Sequence, residues 1–388
     1  MTGAARTQRW NRSVVSGLGK SQVGRRLGRS ALDLTLEASL AAIEDAGLTK
    51  DDIDTVYSHG GPAANIAEYL GLMPVRGIDT TSAGGASNPI QLQHAAAMIA
   101  TGMAETVLIT HAGNNRSGRR ASGQLSMGGG GNSWDSPIGL IGPPTNYALA
   151  ARRHMHEFGT TSEQLAELAV STRRWAEMNP RAMMRDPIDV DDVLNSRMIA
   201  DPLHLLDCCL VCDAAASVVV TSAERARDLK QQPIYLLGTG EGHSHVNIWQ
   251  MEDMNRTAAK ASGDIAFEMA GIDRADIDVA QIYDAFTSEA ICIVEDLGFC
   301  EKGEGGPFME GGRTGPGGEF PMNTQGGGLS FNHPGTFGIW TMVEAVRQLR
   351  HEYEGTDRQV ADAELAISHA NGGHLNHQVS LIWGREAS

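Results

Sequence analysis

The chain writes one local design twice, and this duplication limits its fold more than any other feature. Residues 41–60 read AAIEDAGLTKDDIDTVYSHG, and residues 265–286 read IAFEMAGIDRADIDVAQIYDAF. Each stretch holds an amphipathic helix, an Ala-Gly stop, an acidic turn carrying Asp-Ile-Asp, and a short apolar strand. Gly47 and Gly271 match as the stops, because glycine readily takes the left-handed conformation that ends a helix. Ser30, with Asp33 three residues on, marks where the first helix opens. After the first unit come the Gly84-Gly85 turn, an Ala-rich helix over 89–101 and the strand ETVLITHAG. After the second come GGGLSFNHPG, a helix over 338–350 and the strand AELAISHANGG.

Strands alternating with helices predict an α/β protein with a duplicated core and a mostly parallel sheet in each half. Residues 1–113 and 202–230 form the N-terminal half, and residues 231–388 the C-terminal half. Residues 114–201, with GGGGN, several arginine pairs and a helix over 162–178, read as a cap inserted on the first half. The Gly- and Pro-rich stretch 301–325 reads as a loop.

Charge and composition narrow the function classes. A formal net charge of -16 argues against nucleic acid or an anionic membrane as the main partner. No apolar run reaches the length of a membrane span, and the first residues lack an apolar signal core, so a cytoplasmic protein is expected. Cys208, Cys209, Cys212, Cys292 and Cys300 are odd in number and clustered, which does not suit a disulfide framework. Cys208-Cys209-x-x-Cys212 supplies only half of a zinc site and lies in the apolar stretch LLDCCLVCDAAASVVV, so buried thiols are expected and no metal.

Four stretches carry candidate chemistry. TTSAGGASNPI (80–90) is a tight turn feeding a helix, with Ser87 or Asn88 placed to cap it and Pro89 near its first turn. Free N–H groups there would favour an oxyanion; the plain alternative is a helix start that needs small residues to pack. Tyr283-Asp284-Ala285-Phe286 ends an apolar strand, where α/β proteins build their sites, so the Tyr283 phenol could move a proton; the alternative is a core tyrosine beside a capping aspartate. His333 stands in the Gly/Pro turn GLSFNHPG, off any apolar packing face, and could donate to an oxyanion or carry a proton. His369-Ala370-Asn371-Gly372-Gly373-His374 follows a buried strand and offers a histidine with the N–H groups of a glycine turn; no carboxylate cluster accompanies it to hold a metal. In an acidic chain, Arg116, Arg119, Arg120, Arg152 and Arg153 concentrate in the insert as candidates for an anion, against the alternative of a solvated charged face.

Taken together, two echoing halves, an insert in the first and a His-bearing glycine turn in the second resemble the thiolase superfamily over nearly the whole chain. LDCCLVCDAAASVVVTSAERARDL resembles the strand and turn that close the first half of sterol-carrier-type thiolases, and GLSFNHPGTFG resembles their Gly-His-Pro motif. YDAF stands in place of their Asn-Glu-Ala-Phe, and SHANGG in place of Cys-x-Gly-Gly-Gly. NNRSG, NSRMIADPLHLLDCC and TSAERARDLKQ-P are similar to the lipid-transfer-protein branch, which includes bacterial steroid side-chain aldolases. The resemblance implies a five-layer α-β-α-β-α core and a homodimer. It also implies a CoA thioester as substrate with no cofactor, and in some members a small partner subunit with a zinc ribbon and an OB-fold.

The same resemblance puts Gly85 where a thiolase keeps its nucleophilic cysteine. Ser82 and Ser87 are offset from that position. A glycine forms no acyl-enzyme, so transfer through a cysteine is lost. Tyr283 replaces the water-holding asparagine, and His369 stands near the second cysteine. What remains implies retro-aldol cleavage of a β-hydroxyacyl-CoA. In that reading His333 and the backbone of Gly85 or Gly372 hold the thioester oxygen, Tyr283 or His369 moves the proton, and the insert arginines meet the CoA phosphates. Thiolase-like acyl transfer on a 3-oxoacyl-CoA and a non-catalytic acyl-CoA-binding subunit are the rival readings.

Overall fold

The structure is a computed structural model, and it describes residues 13–118, 137, 139–140 and 142–387. The first half supplies β1 (Ser13–Lys20), α1 (Ala31–Asp45), β2 (Thr55–His59), α2 (Ala63–Leu70), β3 (Gly77–Asp79), α3 (Ser87–Ala100), β4 (Thr106–Asn114) and, after the insert, β5 (Asp213–Ser222). The insert carries α4 (Pro143–Phe158) and α5 (Ser162–Glu177). The second half supplies β6 (Ile234–His243), α6 (Ala259–Ala270), β7 (Val279–Ile282), α7 (Thr287–Leu297), α8 (Gly338–Leu349), β8 (Leu365–Gly372) and β9 (His377–Gly384).

These strands join in one nine-stranded sheet, in the order β3-β2-β4-β5-β1-β6-β9-β8-β7. The halves meet at β1 and β6 through the short register Val14↔Tyr235 and Val15↔Ile234. The duplication is explicit: β1–β5–β4 and β6–β9–β8 run antiparallel, whereas β4–β2 and β8–β7 are parallel. Beyond β2 lies parallel β3, and beyond β7 a parallel bridge joins Ala280 to Met322 in the matching place. The sheet is therefore mixed, not mostly parallel as the strand–helix alternation suggested. The closing strand of each half, β5 or β9, inserts antiparallel between its neighbours, and no local pattern encodes the direction of that pairing.

Glycines set how closely the helices pack. A Cβ on Gly17 or Gly19 of β1 would run into the Ala42 and Ala38 carbonyls of α1, and one on Gly238 or Gly240 of β6 into the Ala266 and Ser262 carbonyls of α6. Along β4, Leu108 and Ala112 join the apolar clusters under α1 and α2, whereas Val107 and Ile109 face α3. This is the two-residue alternation of a strand covered on both faces. Helices α3 and α8 start side by side: a Cβ on Gly338 would meet Pro89 Cδ at 3.1 Å.

The predicted helix ends at Ser30, Gly47 and Gly271 stand, whereas Ser87 and Asn88 lie inside their helix, whose N-cap is Ala86 with no side-chain cap. Asp33 N–H donates to Ser30 Oγ at 3.0 Å, and Gly47 and Gly271 have positive φ. The Ala-rich helix begins at Ser87, slightly earlier than expected; Ser87 Oγ accepts from Ala83 N–H at 2.8 Å and donates to the Gly84 carbonyl. The stretch expected as a loop over 301–325 holds the short helix Gly305–Met309. The insert, although it leaves the first half, packs on the second: His154 of α4 bonds Glu295 of α7 at 3.0 Å, and Trp175 of α5 donates to the Thr314 carbonyl at 2.9 Å. No helix among the described residues is long and apolar enough to cross a membrane.

Candidate active site

The ends of β7 and β8, the Gly84-Gly85 turn and the loop before α8 meet at one point. Tyr283 follows β7 directly, and its N–H donates to the His369 carbonyl at 3.1 Å, which continues the parallel ladder and locks the backbone. Its ring turns toward the first half and reaches Gly85. A Cβ on Gly85 would stand 2.5 Å from Tyr283 Cζ and closer still to Cε2 and to the Asn371 carbonyl. The space that a side chain at position 85 would need is filled by the phenol ring.

The Tyr283 hydroxyl stands 3.1 Å from His333 Nε2 and accepts the Phe337 N–H at 3.2 Å. With the amide on one acceptor lone pair, the hydroxyl can donate its proton to the imidazole when His333 carries its hydrogen on Nδ1. The rings of His333 and Phe337 stack, and Tyr283 meets both edge-on. His333 and Tyr283 are 9% and 4% exposed. Burial pushes the His333 imidazole down to about 4 and the Tyr283 phenol well above its ordinary value, the latter helped by the nearby Glu289 carboxylate. At neutral pH this is a neutral phenol hydrogen-bonded to a neutral imidazole, a pair suited to passing a proton.

His369 lies elsewhere. It is fully buried, with Nδ1 at 2.9 Å from Ser380 Oγ and Nε2 at 2.9 Å from Gln378 Oε1. Ser380 in turn bonds Ser262 of α6. The neighbouring Ala370 faces α8 and the Gly85 side, so strand alternation turns His369 to the opposite face of the sheet. The fold thus brings together Tyr283, His333, Gly85 and the Gly372 backbone, against which Gly84 packs, and leaves His369 out of that group. Among the arginines, Arg152 and Arg153 are exposed and paired with Asp201 and Glu157. The Arg116 N–H donates to Asp213 Oδ1 at 3.0 Å. Arg119 and Arg120 lie outside the described residues.

Two further groups flank the site without a motif in the sequence to announce them. Glu289 of α7 is buried and accepts from Asn371 Nδ2 at 2.5 Å and from the Phe286 N–H at 3.2 Å. Tyr147 of α4 donates to the Gly373 carbonyl at 3.0 Å and accepts from Asn371 at 2.7 Å. Burial pushes the Glu289 carboxyl well up, reinforced by the nearby Asp284, whose own carboxyl burial raises to about 7 although Gly328 N–H donates to it. The one legible hint was Glu289 directly ahead of the apolar run AICIV.

No thiol is activated. All five cysteines are unpaired, and burial raises each above its ordinary value: Cys208 and Cys212 to about 12, with Cys209, Cys292 and Cys300 raised as well. Cys212 serves as an acceptor, taking the His333 N–H at 3.2 Å.

Comparison with known proteins agrees with this geometry. Residues 240–385 match the family described as Thiolase C-terminal domain-like. The steroid side-chain-cleaving aldolase of Thermomonospora curvata is 36% identical over 87% of this chain and 90% of its own. An acetyl-CoA acetyltransferase of Methanothermobacter thermautotrophicus is 35% identical over 93% of this chain and 96% of its own. The solved structure of an Ltp2-ChsH2(DUF35) aldolase superposes with a TM-score of 0.87 at 33% identity, covering 96% of this chain and 98% of that one. With this sheet, this duplication and these relatives, the chain belongs to the thiolase superfamily, in the branch that holds the steroid side-chain-cleaving aldolases, and is a thiolase-fold enzyme.

Proposed function

We propose that this enzyme cleaves the C2–C3 bond of a β-hydroxyacyl-CoA by a retro-aldol reaction. The observation that carries the reading is the exchange at one point in space: Gly85 presents no nucleophile, and the Tyr283 ring, hydrogen-bonded to His333, occupies the position of its missing side chain. The substrate C3 hydroxyl donates to the remaining lone pair of the Tyr283 oxygen. As its proton moves there, the Tyr283 proton passes to His333 Nε2, so no free buried phenolate forms. The C2–C3 bond breaks, C3 leaves as a ketone or aldehyde carbonyl, and the electron pair becomes a thioester enolate. Backbone N–H groups at Gly85 or Gly372 are the candidates to hold the enolate oxygen. Return of the proton through Tyr283 to C2 yields the shorter acyl-CoA and restores the pair.

Arg152 and Arg153 remain the candidates for the CoA phosphates, since exposed ion pairs such as theirs are worth only about 0–1 kcal/mol and exchange readily. The relatives' names supply the substrate class: a steroid side-chain acyl-CoA is the first compound to offer. A second, small subunit with a zinc ribbon and an OB-fold fits the two-component name of the aldolase structure. Pairing with a second copy is in keeping with β3, a sheet edge with half-exposed Ile78, near exposed Tyr69 and Met73. The second reading, acyl transfer on a 3-oxoacyl-CoA, is favoured by the similarity to an acetyl-CoA acetyltransferase. Mass spectrometry of the reaction mixture decides between them. Release of a ketone or aldehyde with a shortened acyl-CoA supports cleavage, and thioester products alone refute it.

A further inference from the structure

The loop that carries His333 belongs to the second half, yet it is seated on the first. Two alternate positions at the end of β4, His111 and Gly113, and the turn residue Asn115 just beyond it form the seat. At the first, His111 Nδ1 lies 3.0 Å from the His59 carbonyl, and Nε2 lies 3.0 Å from Thr336 Oγ1. At the second, Gly113 leaves room for Pro334: a Cβ there would overlap the Pro334 carbonyl and stand 3.2 Å from Pro334 Cβ. At the third, Asn115 fills the space beside Gly335, whose positive φ and lack of a side chain permit the contact.

The His111 ring is 3% exposed. A carbonyl oxygen accepts only; with the hydrogen on Nδ1 for His59, the nearer of its two carbonyl neighbours, a neutral ring leaves Nε2 to accept the Thr336 hydroxyl. The Pro334 carbonyl, 3.3 Å from the same nitrogen, stays in contact without a proton from it. One imidazole thereby ties the end of β2 to Thr336 of the opposite half. Thr336 is flanked by the two groups that hold the Tyr283 hydroxyl, the His333 imidazole on one side and the Phe337 N–H on the other.

We infer that His111 is a positioning residue of the active site, acting across the interface between the halves through Thr336 to set the His333–Tyr283–Phe337 geometry. It does not touch substrate. The inference rests on the retro-aldol reading for its kinetic consequence, but not for its structural one.

The test uses His111→Leu, Thr336→Val, their combination and His111→Gln in the full chain, supplied with its partner subunit where the wild type needs one. Losing alignment at the proton-transfer pair lowers kcat by on the order of ten- to a hundred-fold with KM little changed. The double variant is no worse than the poorer single variant, because both remove one hydrogen bond. His111→Gln, which keeps one donor and one acceptor, recovers part of the loss. Multiplicative losses in the double variant, or a rise in KM with kcat intact, would overturn the inference. An activity-independent arm follows the imidazole 15N resonances. In the wild type His111 shows Nδ1 protonated, and His111→Leu and Thr336→Val both shift the His333 signals. Unmoved His333 signals refute the coupling even if the wild type turns over no β-hydroxyacyl-CoA, an outcome that would count against the proposed reaction alone.

Discussion

Adding one methyl group at Gly85 tests the central geometry directly. In Gly85→Ala the new Cβ stands 2.5 Å from Tyr283 Cζ, about 0.9 Å short of ordinary van der Waals contact, with tighter overlaps on Cε2 and the Asn371 carbonyl. Tyr283 cannot step back without losing His333 or the Phe337 amide, and the turn cannot retreat because its carbonyl already meets Gly338 and its neighbour Gly84 meets Gly373. Overpacking of this kind costs about 1–3 kcal/mol of stability. For a chain of this length that corresponds to a Tm lower by roughly 1–4 °C. The larger effect falls on turnover, since a phenol displaced by on the order of 1 Å costs about a hundredfold in rate. The assay pairs kcat/KM for β-hydroxyacyl-CoA cleavage with a thermal melt. A Gly85→Ala enzyme with both wild-type turnover and wild-type Tm would refute the claim that Tyr283 occupies the vacated position. The same overlap predicts that Gly85→Cys restores no acyl-enzyme, which intact-mass measurement after incubation with acyl-CoA checks.

Tyr283→Phe keeps the ring and removes the proton carrier, so kcat falls by at least about a hundredfold while acyl-CoA binding, measured by calorimetry, holds; retained turnover removes Tyr283 from the mechanism. His369→Asn strips two buried hydrogen bonds on the sheet face opposite the reacting groups and lowers Tm more than kcat; the reverse pattern would return His369 to the chemistry. His333 is depressed from its ordinary value of 6.5 to about 4, so the unfolded chain takes up its proton first as pH falls. Its contribution is fully present above pH 6.5 and is lost as pH falls toward about 4, at up to about 1.4 kcal/mol per pH unit. The Tm advantage of the wild type over His333→Asn therefore narrows across that window, and a constant difference would contradict the buried neutral imidazole. Arg152→Gln with Arg153→Gln raises KM for acyl-CoA and weakens its salt dependence, with kcat unchanged.

Much of this protein follows from local chemistry. Helix starts and stops such as Ser30, Gly47 and Gly271 were legible because capping and left-handed glycine act over a few residues. The duplication was legible because it is written in the pattern of residues itself. So were Gly85, Tyr283 and His333, each a departure at a turn or strand end, although nothing in their spacing of roughly two hundred and fifty residues from first to last says that they touch. That meeting is made by the tertiary structure, through β7, β8 and the loop before α8. The tertiary structure also decided the antiparallel closing strands, the seat of the insert on the second half and the face on which His369 points. Each of these depends on which distant strand lies alongside, and a one-residue change of register would reverse every side chain. Glu289, Tyr147 and His111 gained their partners in the same way. A carboxylate in a helix, a tyrosine in the insert and a histidine in a strand carry no chemistry until packing removes water and supplies partners.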